Sequence, residues 1–236
     1  MPAASFDLDG TLVTCGEPRD RSFRNARAEI GENVPLPGID AYRAAFREAL
    51  GSRLPDRAPD TAVRREAFKK VFAAEAGVSE STLEAFADAY RRRRLDRLIQ
   101  VSGAHTLLTA LSETRSVVVV TNGPAALQRE KLRRTELFDA VDAVAVAGEC
   151  GTRKPDPELF EIAFERVGAR TRGAVHVGDA RPDVEGARAA GLEPILFSPG
   201  VDDSRPVWLS EDVSVCDSLD AIGRRLLDTG FHSPSS

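Results

Sequence analysis

Two hydrophobic periods share this chain. From residue 104 onward, short apolar runs alternate with stretches of roughly 3.6-residue period. The run Val117–Val120 is wholly β-branched, which suits a strand buried on both faces of a parallel sheet. Further strands are predicted over Ala143–Ala147, Ala174–Val177, Pro194–Phe197 and Val213–Cys216. Helices are predicted over Ala104–Leu111, Ala125–Arg134, Glu158–Val167, Val184–Ala190 and Leu219–Leu227. With another strand ahead of Asp7, this alternation implies an α/β fold: a Rossmann-like parallel sheet with helices on both faces.

Residues 16–100 carry only the helical period. Helices are predicted over Arg21–Ile30, Ile39–Leu50, Thr61–Ala76 and Ser81–Ile99. Phe68, Val71 and Phe72 fall at helical spacing, as do Leu83, Phe86, Ala87 and Tyr90. Pro35, Pro37, Pro55 and Pro59 break the region into segments. Ser79 or Ser81 can cap the last helix, with Glu84 completing a capping box from Ser81. No strand is expected here. The organisation is therefore a core of residues 1–15 and 101–236 with an inserted α-helical bundle, a cap, over residues 16–100. The tail His232–Ser236 reads as disordered.

The polar residues that end the predicted strands suggest chemistry. Asp7 and Asp9 lie two apart where a strand runs into Gly10, so both can face one side. Two crowded acids favour a bound cation or a shared proton. Taken alone, a solvated Asp-Gly turn explains the pair as well. Three further strand ends shift the balance. Thr121 closes the valine run, Lys154 precedes Pro155 and a helix, and Asp179 ends the strand after His176, with Asp183 four residues on. Ligands of open α/β sheets bind outside the carboxyl ends of the strands. Acids, a hydroxyl and an amine gathered there suit a metal-plus-phosphate site.

Asp7-Leu8-Asp9-Gly10-Thr11, then Thr121, then Lys154-Pro155, then Gly178-Asp179 with Asp183, resemble the four ordered motifs of the haloacid dehalogenase superfamily. The likeness runs from residue 4 to about 197. Thr121-Asn122-Gly123-Pro124 with Gln128 and Lys131-Leu132, and later Lys154 to Phe160, resemble its phosphatase branch with a helical cap after the first motif. Some members of that branch are nucleotidases or sugar-phosphate phosphatases. Pro182 in the last acidic loop and Val101-Ser102-Gly103 at the return to the core depart from the usual pattern without removing a catalytic group.

The resemblance implies a Mg²⁺-dependent phosphatase acting on a small phosphate ester through an aspartyl-phosphate. It makes Asp7 the nucleophile and Asp9 the acid, then the base. It places Mg²⁺ on Asp7, Asp179 and the backbone carbonyl of Asp9, with Asp183 ligating directly or orienting the shell. Thr121, Asn122 and Lys154 would hold the phosphate. A sugar-phosphate mutase shares this core. Metal-free 2-haloacid dehalogenation does not need an acid at Asp9, so Asp9 disfavours it. A receiver domain lacks the inserted cap. An inactive phosphate-binding relative would be expected to have lost one of Asp7, Asp9, Lys154 or Asp179, and all four are present.

Composition narrows the class further. A chain of 236 residues that is 42% hydrophobic and 29% charged suits a soluble globular protein. The net charge of −5 disfavours general nucleic-acid binding. No apolar run approaches a membrane span, and no basic-then-apolar segment opens the chain, so a cytoplasmic location is expected. Cys15, Cys150 and Cys216 show no metal-ligand spacing and read as packing. Lysine occurs only at Lys69, Lys70, Lys131 and Lys154, which makes Lys154 a pointed choice. Arg91–Arg94 spread around a helix, so a solvated face is the main expectation, and one arginine meeting an anionic substrate the sharper one. His176, inside a predicted strand, reads as packing. The oligomeric state is not specified.

Overall fold

The computed structural model describes residues 2–31, 38–53, 60–72, 78–200 and 205–228. Its centre is a six-stranded, wholly parallel sheet. The strands are β1 (Ala3–Phe6), β4 (Ser116–Thr121), β5 (Ala143–Val146), β6 (Val175–Gly178), β7 (Glu193–Phe197) and β8 (Ser214–Cys216). Their order across the sheet is β5-β4-β1-β6-β7-β8. β1 thus lies between β4 and β6, where the direction of winding reverses. Such a reversal opens a crevice at the carboxyl ends of the strands.

Alternation along each strand feeds two core layers. Val117 and Val119 share one layer with Leu107, Leu108 and Leu111 of α5 (Ala104–Ser112) and Ile222 and Leu226 of α10 (Leu219–Asp228). Val118 and Val120 share the other with Leu159, Phe160 and Phe164 of α8 (Pro157–Glu165) and Ala187 of α9 (Arg181–Ala189). The expected α/β sheet with helices on both faces is therefore present. Among the described residues, no helix is long and apolar enough to cross a membrane.

A helical unit is inserted between β2 (Val13–Cys15) and β3 (Leu98–Gln100). It contains α1 (Arg19–Ile30), α2 (Ile39–Arg53), α3 (Asp60–Phe72) and α4 (Glu80–Asp96). Its core is aromatic. The Phe68 ring centre lies 4.4 Å from that of Tyr42 and 4.8 Å from that of Phe86, and Phe23 meets Tyr90 edge-on at 5.3 Å.

Several local expectations change. The helix predicted through Ile99 stops at Asp96, and Leu98–Gln100 instead pair antiparallel with Val13–Cys15. A strand therefore exists where none was expected. Its apolar residues continue the helical period, and only a partner distant in sequence makes them extended. Ser79, not Ser81, caps α4, its hydroxyl accepting from the Thr82 amide at 3.1 Å. Glu84 pairs with Arg65 instead of closing a box. Ala147 leaves β5 and begins the single turn α7 (Ala147–Cys150). α9 begins at Arg181, with Pro182 in its first turn, where a missing N–H costs nothing. Residues 73–76 of the predicted third helix and the tail 232–236 lie outside the described residues.

The aromatic cluster yields a stability prediction. Phe68 is fully buried against four other rings. Phe68→Ala should cost about 3–5 kcal/mol, whereas Phe68→Leu, which leaves a smaller cavity but loses the ring contacts, should cost less. Urea unfolding followed by circular dichroism measures both.

Candidate active site

The carboxyl edge of the sheet carries the chain's densest charge. Asp7 follows β1, Thr121 ends β4, Asp179 follows β6, and Asp183 sits in the first turn of α9. Lys154 reaches the same point from the loop between α7 and α8. Its Nζ donates to Asp7 Oδ1 at 2.5 Å, to Asp183 Oδ1 at 2.5 Å and to the Val120 carbonyl at 2.8 Å. All three charged side chains are buried. Asn122 fixes the lysine loop. Its Oδ1 accepts from the Lys154 amide at 2.9 Å and its Nδ2 donates to the Lys154 carbonyl at 3.1 Å.

Asp9 belongs to a second network. Its Oδ2 accepts from Lys131 Nζ at 2.5 Å and from Gln128 Nε2 at 2.9 Å. Gln128 Nε2 also donates to Thr121 Oγ1 at 2.6 Å, which ties the two acids' surroundings together. Both partners lie on α6 (Ala125–Arg134), three residues apart and so on one helix face.

The charges set the protonation states. Burial pushes Asp7 up to about 8, against the opposing pull of Lys154, and the Asp183 and Asp179 charges add to the rise. Burial and Asp183 likewise raise Asp179 to about 6, although its side chain opens to solvent. Asp183 is also pushed up by burial, but Lys154 and His176 overcome this and hold it well below the usual range. Asp9 behaves similarly: burial opposes ionisation, yet Lys131 and Gln128 leave its carboxyl lowered.

Carboxylate oxygens of Asp7, Asp179 and Asp183 all lie within 4.8 Å of one another. Such hard oxygen donors suit a divalent cation. One ammonium cannot neutralise three carboxylates, so the set carries an excess of negative charge. Glycines make this crowding possible. Gly10 has φ +94°, and a Cβ there would lie 2.1 Å from Asp179 Oδ2. A Cβ on Gly178 would lie 2.3 Å from the Asp183 carboxyl carbon. The Asp9 carboxylate is outside this trio and faces Lys131; its expected metal contact is through its backbone carbonyl alone.

His176 does more than pack. Its Nε2 faces Asp183 Oδ1 at 3.3 Å, its Nδ1 meets Ser5 Oγ at 2.9 Å, and its ring stands edge-on to Phe160. Burial lowers its pKa, so the imidazole is neutral. This network assigns the Nε2 proton toward Asp183 and makes Nδ1 the acceptor from Ser5.

A cavity of about 580 Å³ opens between this edge and the inserted helices. Asp9, Asp179, Asn122, Gln128 and Lys131 line its floor. The arginine run divides. Arg91 and Arg94, one helical turn apart, line the cavity, with Arg91 also paired to Glu130 and Arg94 donating to the Glu17 carbonyl at 2.6 Å. Arg92 is exposed and paired with Glu29, and Arg93 lies 3.8 Å from both Glu17 and Glu29. The expected solvated face thus holds for Arg92 alone. Cys15 also lines the cavity, and all three cysteines are free thiols.

Comparison with known proteins agrees with this geometry. The family model for haloacid dehalogenase-like hydrolases matches residues 1–191. A ribulose-1,5-bisphosphate 5-phosphatase of Halopiger xanaduensis is 30% identical over 203 residues, 84% of each chain. A phosphoserine phosphatase of Thermus thermophilus is 33% identical over 229 residues, covering 85% of this chain and 90% of its own. The solved structure of a β-phosphoglucomutase-like protein from Thermotoga maritima superposes with a TM-score of 0.73 at 21% identity, over 97% of this chain and all of the other. With its acids at the carboxyl edge of a parallel sheet and the family match across most of its length, the chain belongs to the haloacid dehalogenase-like hydrolases.

Proposed function

We propose that this hydrolase is a Mg²⁺-dependent phosphomonoesterase acting on a small phosphorylated metabolite through an aspartyl-phosphate on Asp7. The observation that carries the reading is the buried contact of Asp7 with Lys154, beside two further acids that can share a cation. Phosphatases among its relatives, on ribulose bisphosphate and on phosphoserine, support it. The same reading assigns residues 1–15 and 101–236 as the catalytic core and residues 16–100 as a substrate-selecting cap that ends in the strand β3. Three free thiols and the absence of disulfides among the described residues support a reducing, cytoplasmic setting.

Asp7 attacks phosphorus, a new P–O bond forms on its carboxylate, and the ester P–O bond breaks. Asp9 gives its proton to the departing oxygen. Water then attacks the phosphoryl group on Asp7, Asp9 takes a proton from it, and inorganic phosphate leaves. Lys131 and Gln128 favour the ionised Asp9 that this second step needs. Lys154, Thr121 and Asn122 hold phosphate oxygens or the loop that presents them. Asp7, Asp179 and Asp183 would hold Mg²⁺, with the Asp9 carbonyl; the ion supplies charge neutralisation for the incoming phosphate. A mutase would route the phosphoryl group to a second sugar oxygen instead of water. Release of inorganic phosphate separates the two. The acid at Asp9 serves leaving-group protonation and disfavours dehalogenation.

Three outcomes test this reading. Asp7→Asn keeps the volume and loses the nucleophile, so kcat on an aryl phosphate should fall by about 10³-fold or more. Unchanged activity in a clean preparation rules the nucleophile out.

Lys131→Met should raise the Asp9 pKa, because its ammonium is what most favours the carboxylate. The first step needs the protonated form. The alkaline limb of kcat/KM for an alkyl phosphate should therefore move to higher pH; a limb that stays in place dissociates Lys131 from Asp9 function.

Mg²⁺ must displace protons from Asp7, at about 8, and Asp179, at about 6. Apparent affinity should rise between pH 6 and pH 8 with proton release, read by calorimetry in buffers of different ionisation enthalpy. The unfolded chain has Asp7 near 3.8, so between there and 8 the metal-free fold binds more protons. Its stability should fall as pH rises through that window, and Mg²⁺ should restore it.

A further inference from the structure

The Gln128 side chain lies buried at the floor of the cavity, and its amide has only one possible sense. Lys131 Nζ can only donate, so the Gln128 atom that it meets at 2.7 Å is the carbonyl oxygen Oε1. The amino group Nε2 therefore faces Asp9 Oδ2 at 2.9 Å and Thr121 Oγ1 at 2.6 Å, with one hydrogen for each. Flipping the amide would set two donors against each other at Lys131. The Gly123 backbone packs close against this amide: a Cβ there would stand 3.1 Å from Gln128 Cδ. The Gln128 backbone amide donates to the Pro124 carbonyl at 3.1 Å, which fixes the start of the side chain in α6.

The sense of the amide passes to Thr121. A hydroxyl has one hydrogen and two acceptor lone pairs. Because Thr121 Oγ1 accepts from Gln128, its own hydrogen has to point elsewhere. Its acceptor is the Asn122 carbonyl at 3.4 Å, far longer than the about 2.7–2.8 Å usual for a hydroxyl donor. Thr121 thus keeps a poorly used hydrogen at the carboxyl end of β4. The preceding carbonyl, of Val120, already accepts from Lys154 Nζ at 2.8 Å, so this hydrogen sits beside the buried ammonium. A fixed donor next to a cation is what an arriving oxyanion needs.

Resting on the phosphatase reading, we propose that Gln128 is a positioning residue that compels the Thr121 hydroxyl to donate to a phosphoryl oxygen. Without the Gln128 N–H, the hydroxyl can turn in either sense. With it, the donor sense is set during folding and needs no reorientation when the ester arrives. The same Nε2 holds Asp9 Oδ2, so one amide keeps the phosphate donor and the acid–base group at a fixed spacing.

The test is a double-mutant cycle on the full chain with Mg²⁺. It is read by calorimetric binding of inorganic phosphate and by single-turnover cleavage of para-nitrophenyl phosphate, whose leaving group needs little protonation. Gln128→Met keeps the length and removes the donors. It should weaken binding and slow cleavage by about tenfold, the lower end of what a hydrogen bond to a charged group contributes, and Thr121→Val by about 10- to 100-fold. In the Thr121→Val background, Gln128→Met should cost less than about twofold more; in Thr121→Ser, which retains the hydroxyl, it should cost its full factor. A residue that served packing alone would cost the same in both backgrounds. Gln128→Glu keeps the test available if Gln128→Met fails to fold. Its carboxylate accepts from Thr121 and reverses the sense, so its loss should also shrink in Thr121→Val. If phosphate binds too weakly to measure, the single-turnover arm decides. Equal costs of the Gln128 variants in the Thr121→Val and Thr121→Ser backgrounds, or undiminished cleavage in folded Gln128 variants, overturn the proposal alone. If wild type hydrolyses no phosphate ester, the phosphatase reading itself fails.

Discussion

One buried ammonium organises this protein. Lys154 has lost nearly all contact with water, and a charge so placed persists only against close opposite charge. Asp183 of α9 supplies that charge, and Asp7, just after β1, and the Val120 carbonyl of β4 accept the other two hydrogen bonds. Removing one partner of such a group typically costs about 3–5 kcal/mol, because the remainder stays charged and dry. The contact therefore fixes how the loop before α8, the middle of the sheet and the start of α9 meet. Asn122 closes the arrangement by gripping both sides of the Lys154 backbone.

The charge balance around that ammonium suits the site to a cation. Lys154 compensates Asp183 fully enough to keep it ionised, while burial, with the Asp183 and Asp179 charges, leaves Asp7 holding its proton. The protein thus stores a mismatch that a divalent ion would resolve. Backbone without side chains at Gly10 and Gly178 lets the carboxyls come this close. The neighbouring Asp9 has its own lysine, so two acids two residues apart have different protonation states. In the metal-free fold Asp7 holds the proton and Asp9 does not, the reverse of the states that attack by Asp7 and proton donation by Asp9 would require, so ligand and cation binding would have to exchange them.

The sheet and its acids were legible because they are local signals. A β-branched run, a strand-end acid and a helix after proline each announce themselves within a few residues. Asp7, Thr121, Lys154, Asp179 and Asp183 meet at one edge for that reason. What escaped depends on register between distant segments. Ser5 and His176 are direct ladder partners of β1 and β6, and the turn from β6 into α9 brings Asp183 back to the same ring. Lys131 finds Asp9 through the docking of α6. The strands β2 and β3 are three residues each, too short for any period to show, and exist only as partners of one another. Arg19, Arg43, Arg64 and Arg91 reach one cavity from four helices by tertiary packing, which spacing within any single helix cannot reveal.

The ribbon β2–β3 has a consequence beyond its size. The insertion leaves and rejoins the core through adjoining rungs of this ribbon: Gly16 donates to the Arg97 carbonyl at 2.8 Å, and Val101 to the Leu12 carbonyl at 2.9 Å. Seen from the sheet, all the intervening helices amount to one tight hairpin. Loop-closure entropy grows only slowly with length, so the core is nearly indifferent to what the hairpin carries. A longer, shorter or unrelated insert on the same rungs leaves the register of β1 and the aim of Asp7 untouched. The insertion and the core are thereby free to diverge at different rates within one polypeptide.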